Sequence, residues 1–112
     1  MTRPDEVRVR HMMDAARKAI EFCRGLSRDD LDADEILRLA LTKLVEIIGE
    51  AARQVGEETR SQYPLVPWSE ATRMRDRLVH HYFDINLDVL WSTVTEDLPQ
   101  LLDALEEPGE SA

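Results

Sequence analysis

The sequence predicts an all-α fold, an antiparallel bundle of four helices, and three observations carry that prediction. Apolar residues recur at alternating spacings of three and four along four separate segments. No strand-like alternation, glycine-rich phosphate loop or internal repeat interrupts them. A chain of 112 residues makes one domain, burying roughly two thirds of its unfolded surface, and helices joined by short links pack against their sequence neighbours.

The first helix carries Val9, Met13, Ala16, Ile20 and Cys23 on one stripe, with Pro4 suited to its first turn and Gly25 to its exit. The second starts near Asp32, an N-cap whose partner three residues on is Glu35. It presents Leu37, Leu41, Leu44, Ile48, Ala51 or Ala52, and Val55 before Gly56. It is also apolar at Ile36, Ala40 and Ile47, a width that implies more than one neighbour. Residues 57–67, EETRSQYPLVP, contain two prolines and no periodicity, and so read as the one substantial loop. A third helix is expected from Trp68 or Ser69 to Tyr82, with Ala71, Met74, Leu78 and Tyr82 facing inward. A fourth begins near Asp84 or Asn86, either of which caps, and shows Leu87, Leu90 or Trp91, Val94, Leu98, Leu101 and Leu105. Pro99 lies inside it and should kink or split it, since proline costs a helix interior roughly 3 kcal/mol. Residues 1–107 form the single domain, and 108–112 a flexible acidic tail. Four amphipathic helices with one wide stripe leave apolar surface over, which a homodimer would cover.

Fourteen Lys and Arg stand against 23 Asp and Glu, a formal net charge of -9, so the molecule repels phosphates except at a basic patch set apart. Residues 73–81 are that patch. One cysteine, Cys23, excludes an internal disulfide and a cysteine-pair zinc site, which fits a cytoplasmic protein. Neither a signal peptide nor a membrane span is expected from the charged opening and the short apolar runs.

The patch lies within MRDRLVHHYFDI, residues 74–85, where Arg75 is followed after four residues by His80, with Tyr82 two further on. These side chains suffice to cleave RNA without a metal. A neutral imidazole takes the proton of a ribose 2′ hydroxyl and an imidazolium returns one to the leaving 5′ oxygen, both accessible at a pKa of about 6.5. A guanidinium stabilises the charge growing on the phosphate, and a tyrosine donates to it or stacks on a base. Five residues of ideal helix turn through about 500°, which leaves Arg75 and His80 roughly 140° apart. Either the helix loosens toward Tyr82 or two copies assemble the site across a dimer, and the second is the reading adopted. Asp76, four residues before His80, would share its face and fix the imidazole tautomer. The same spacing continues to Asp84, but metal bundles use Glu-x-x-His pairs that this sequence lacks, so neither a metal nor another cofactor is expected.

These residues resemble the HEPN superfamily of small helical ribonucleases, and within it the HepT-like toxins that pair with a minimal nucleotidyltransferase, MntA. The resemblance runs through IIGEAARQV (47–55), YPLVPW (63–68), MRDRLVHHYFDIN (74–86) and VLWSTVTEDLPQL (89–101). It implies Arg75 and His80 as the ribonuclease pair, Asp76 as the polar residue after the arginine, and Tyr82 as the motif tyrosine. In HepT-like systems the partner enzyme, acting as antitoxin, attaches AMP to that tyrosine. An adenylate on Tyr82 would set a phosphate against Arg75 and block the groove. A homodimer, cleavage of RNA or tRNA, and independence of metal are further implications of the resemblance.

Plainer roles suit the neighbouring residues. Arg73, Arg77 and His81 are RNA contacts if RNA binds, and otherwise solvated charges. His11 reads as a surface residue, Trp68 and Trp91 as core or interface anchors, Met12 and Met13 as core filler, and Cys23 as a buried thiol. Gly49, with Ala51 and Ala52, marks a close helix approach, and Glu50 a packing or interface position. The competing function is a non-catalytic interaction or nucleotide-binding subunit of a nucleotidyltransferase complex. The intact trio of Arg75, His80 and Tyr82 counts against it.

Overall fold

The computed structural model of the chain describes residues 1–81 and 84–107, and they are mostly helical. Helix α1 (Arg3–Cys23) starts where Thr2 Oγ1 accepts the Asp5 amide at 3.2 Å, with proline and two acids in its first turn. It ends before Gly25, whose φ of 78° lies in the left-handed region that glycine tolerates. Val9, Met12, Ala16, Ala19 and Cys23 are buried, while Met13 and Ile20 lie at the core's edge. The stripe is therefore turned slightly from the predicted one, because α1 packs against two later helices rather than one.

A single turn, α2 (Asp30–Ala33), leads into α3 (Glu35–Gln54). The cap of α3 is Asp34, not Asp32: Asp34 is extended and its Oδ1 accepts the Leu37 amide at 2.9 Å. Asp32 instead pairs with Arg28 at 3.0 Å. Several aspartates in a row offer equivalent caps, and backbone conformation selects among them. Helices α1 and α3 lie antiparallel, as Arg8 near the start of one donates to the Gln54 carbonyl at the end of the other (3.1 Å). Leu41, Leu44, Val45, Ile48, Ala52 and Val55 are buried. Helix α3 packs against α1 and against later segments of the chain, the more than one neighbour its wide stripe calls for, although Ile36 at its start is 81% exposed.

The expected loop at 57–67 contains a helix, α4 (Glu57–Gln62). Six residues are too few to display an apolar stripe, and only Thr59 is buried. Its charges instead follow the helix dipole, with Glu57 and Glu58 first and Arg60 in the last turn. Arg60 also lies 5.5 Å from the centre of the Trp68 ring, and the Trp68 indole donates to the Arg60 and Tyr63 carbonyls at 3.2 Å.

The third predicted helix is broken. Helix α5 (Trp68–Thr72) stops at Arg73, whose φ of -110° and ψ of 6° are not helical, and α6 (Met74–Leu78) follows. The chain then extends into β1 (Val79–His81), paired antiparallel with β2 (Asp84–Ile85) across a bulge, where the sequence predicts no strand at all. Val79 is β-branched, and the Asn86 amide closes the ladder on the Leu78 carbonyl at 2.7 Å, so the last turn of helix gives way to a sheet-like pair. Ala71, Met74 and Leu78 are buried as expected. The side chains of His80 and His81, Tyr82 throughout, and the tail 108–112 lie outside the described residues.

Asn86 then caps α7 (Leu87–Ser92), accepting the Val89 amide at 3.1 Å. A π turn, Thr93–Asp97, joins it to α8 (Leu98–Glu106), and the fault expected at Pro99 is taken up there. The Leu98 amide reaches five residues back to Thr93, and Pro99 falls in the first turn of α8, where its missing donor is not needed. Leu90, Val94, Leu98, Leu101 and Leu105 stay on one buried face.

Candidate functional site

Arg75 is the second residue of α6, with its side chain half exposed. Its Nε lies 3.8 Å from Glu46 Oε2 on α3, and one terminal nitrogen lies 3.9 Å from Asp76 Oδ1. Both are ion-pair separations longer than a hydrogen bond, so the guanidinium is held by charge without being saturated. It borders a cleft of about 210 Å³ lined by Glu46, Gly49, Glu50, Arg53, Thr72, Arg75 and Asp76.

The cleft exists because α5 approaches α3 at Gly49. A Cβ there would meet the Ala71 and Thr72 carbonyl oxygens at 3.4 and 3.5 Å, which is the close approach the sequence indicates. Arg53 closes the far end, donating to Glu50 Oε1 at 2.7 Å and to the Thr72 carbonyl at 3.2 Å. Glu46 is shared with Lys43, whose Nζ is 3.4 Å from Oε1. Glu46, Gly49, Glu50 and Arg53 fall at spacings of three, one and three, one face of a helix. Of these, sequence reasoning singled out only Gly49 and Glu50. Glu46 and Arg53 were legible as polar neighbours on the same face, but nothing in the sequence joined that face to Arg75.

His80 sits on β1, beyond the end of α6. The helical angle between Arg75 and His80 therefore does not apply, and the four-residue spacing that would put Asp76 and His80 on one face is lost, as is the Asp76, His80, Asp84 ladder. The reason is the extended backbone from Val79 onward (φ -108°, ψ 112°). Among the described residues, no group of three or more His, Cys, Asp or Glu gathers in a way that could hold a metal. Of the other basic residues, Arg73 donates to the Ser69 carbonyl and hydroxyl at 3.3 and 2.9 Å, and Arg77 lies 3.9 Å from Asp97.

A second hollow, about 530 Å³, runs between α1 and α3 on the other side of Glu46 and Glu50. Val7, His11, Lys43, Ile47 and Ala51 are among its lining residues. Cys23 is buried, which pushes its thiol pKa up and makes it a poor nucleophile. No described helix is long and apolar enough to cross a membrane.

A family model described as Ribonuclease HepT-like matches residues 12–108, which include the cleft, α6 and both short strands. Among similar proteins, "Probable ribonuclease HepT" of Thermococcus cleftensis is 39% identical over 87 residues, covering 78% of this chain and 79% of the relative. "Putative RNase TTE0752" of Caldanaerobacter subterraneus is 35% identical over 97 residues, 87% of each chain. "Putative RNase MJ1380" of Methanocaldococcus jannaschii is 34% identical over 95 residues, 85% of this chain and 87% of the relative. No solved structure matches. With its Arg75 to Tyr82 motif inside a match that spans most of its length, the chain belongs to the HepT-like family of the HEPN superfamily.

Proposed function

We propose that this protein is a metal-independent endoribonuclease, the toxin of a toxin-antitoxin pair, which cuts RNA, and tRNA in particular, by attack of a ribose 2′ hydroxyl on the adjacent phosphate. The observation that carries the reading is the family match over residues 12–108, which includes Arg75, Asp76, His80 and Tyr82. His80 takes the 2′ proton and returns one to the leaving 5′ oxygen, and Arg75 stabilises the charge on the phosphate between them. Loose ion pairs at 3.8 and 3.9 Å support that role, because a phosphate can replace them without breaking a hydrogen bond. Asp76 tunes the arginine it adjoins, while Arg73, Arg77 and His81 meet neighbouring phosphates. Two copies form the working groove, a reading supported by the exposed apolar residues Val7, Ile36 and Leu39 on α1 and α3. A partner nucleotidyltransferase neutralises the toxin by placing AMP on Tyr82.

The test is incubation of bulk tRNA with purified protein in excess chelator, wild type beside His80→Ala, with the new ends mapped. The reading requires cleavage that survives chelation, leaves 2′,3′-cyclic phosphates and disappears in the variant. Intact tRNA with both proteins, in material shown by mass to carry no adenylate, would instead support the non-catalytic subunit.

A further inference from the structure

Five charged side chains, Arg75 among them, line the cleft, and their pairing is uneven. Arg53 and Glu50 satisfy each other at 2.7 Å, and Arg53 is further committed to the Thr72 carbonyl. That leaves Arg75 as the cation open to a ligand, with Glu46 at 3.8 Å and Asp76 at 3.9 Å. Arg75 can take one phosphate, but the two carboxylates repel a second. What lies next to that phosphate along an RNA strand must therefore be neutral and rich in hydrogen-bond donors. A nucleobase edge meets both conditions.

We infer that Glu46 reads a guanine base of the RNA strand held at Arg75. Guanine presents N1–H and an N2 hydrogen side by side on its Watson–Crick edge, two donors matched to the two oxygens of one carboxylate. Uracil offers a single N3–H between two carbonyls, which a carboxylate repels. Glu46 is the residue placed for this: it lines the cleft on α3, opposite Thr72, and its contacts to Lys43 (3.4 Å) and Arg75 (3.8 Å) are loose enough to yield. Glu50, locked to Arg53, is not. Gly49 forms the floor, where the missing side chain lets the Ala71 and Thr72 carbonyls approach α3 and brings Thr72 to the cleft with Glu46. The inference rests on the ribonuclease reading only in taking RNA as the occupant, and its test needs no cleavage.

The experiment measures binding of short 2′-O-methyl RNA oligomers, which cannot be cut, to wild-type protein and to Glu46→Gln. The oligomers carry guanosine, inosine or uridine at one position, and GMP is run alongside. Wild type should bind the guanosine oligomer at least about tenfold tighter than the inosine one, which lacks only the N2 amino group, as expected for a hydrogen bond to a charged acceptor. Glu46→Gln, half exposed and nearly the same size, should keep its melting temperature and bind both alike. Equal affinity of wild type for the three oligomers, a preference that survives in Glu46→Gln, or no binding of the guanosine oligomer would each overturn the inference. GMP binding as tightly as the guanosine oligomer would assign the subsite to a free nucleotide and overturn it for RNA. A protein that binds guanosine RNA selectively yet leaves tRNA intact would keep this subsite while removing the ribonuclease reading.

Discussion

Asp5 is a buried carboxylate held by Thr59 Oγ1 at 2.7 Å, Arg8 at 3.0 Å and the Gly56 amide at 3.2 Å, and the donors from Thr59 and Gly56 join the start of α1 to the start of α4. The Thr59 hydrogen bond, opposed by burial and helped by Arg8 and Gly56, holds its pKa below the usual 3.8. A depressed carboxylate contributes stability that is complete above the unfolded value and is lost as pH falls through the folded one. Thermal unfolding of Asp5→Asn should accordingly show a loss of about 2 kcal/mol near neutrality. That loss should shrink below the ordinary aspartate value of 3.8 as wild type surrenders the same charge. A difference that stays constant down to acid pH would mean the carboxylate is not the stabilising form. At Gly49 the modest clearances, 3.4 and 3.5 Å, separate two substitutions. Gly49→Ala should fit, and gains up to about 1 kcal/mol of helix propensity. Gly49→Leu should push α5 off α3 and cost about 1–3 kcal/mol, read as a lower denaturant midpoint.

Among the elements, those defined by burial periodicity were legible in the sequence and those defined by backbone detail were not. The long helices α1 and α3, and the run from α7 to α8, announce themselves by apolar spacing, and Asn86 and Pro99 mark real events in the chain. Helix α4 stayed hidden because it buries one threonine, and the Asp34 cap because neighbouring aspartates compete for the same role. The break after Leu78 matters most. The sequence runs Val79, His80 and His81 on as a continuation of the preceding helix, but the extended backbone at Val79 and the cross-strand ladder to Asp84 and Ile85 show that the chain has straightened. The sequence therefore carries Arg75 and His80 on one helix, whereas the structure places Arg75 on α6 and His80 on the strand that follows it. Leu78, fully buried at that junction, anchors it. Leu78→Ala should cost about 2–4 kcal/mol, measured by chemical denaturation. A loss under 1 kcal/mol would mean that the hairpin, not the helix end, fixes the turn.

For the whole molecule, acidity and apolar exposure act on different partners. The outward stripe of α1 and α3, with Ile36 81% and Leu39 54% exposed, is an expensive surface to leave in water. Ile36→Glu with Leu39→Glu should therefore yield a folded monomer in light scattering if the protein is a homodimer through this face, and an unchanged mass would place the interface elsewhere. A net charge of -9 disfavours RNA away from the basic patch, so binding through Arg73, Arg75 and Arg77 should weaken steeply as salt rises, and an affinity insensitive to salt would mean that few phosphates are contacted. If Arg75 and His80 act in one RNA-cleaving reaction, the rates of tRNA cleavage by Arg75→Ala, His80→Ala and the double variant will show it. Residues that act as a unit are not additive: each single variant should lose at least about 100-fold, and the double variant little more. Losses that multiply, or a single variant that cuts as fast as wild type, would mean that the two residues do not act together.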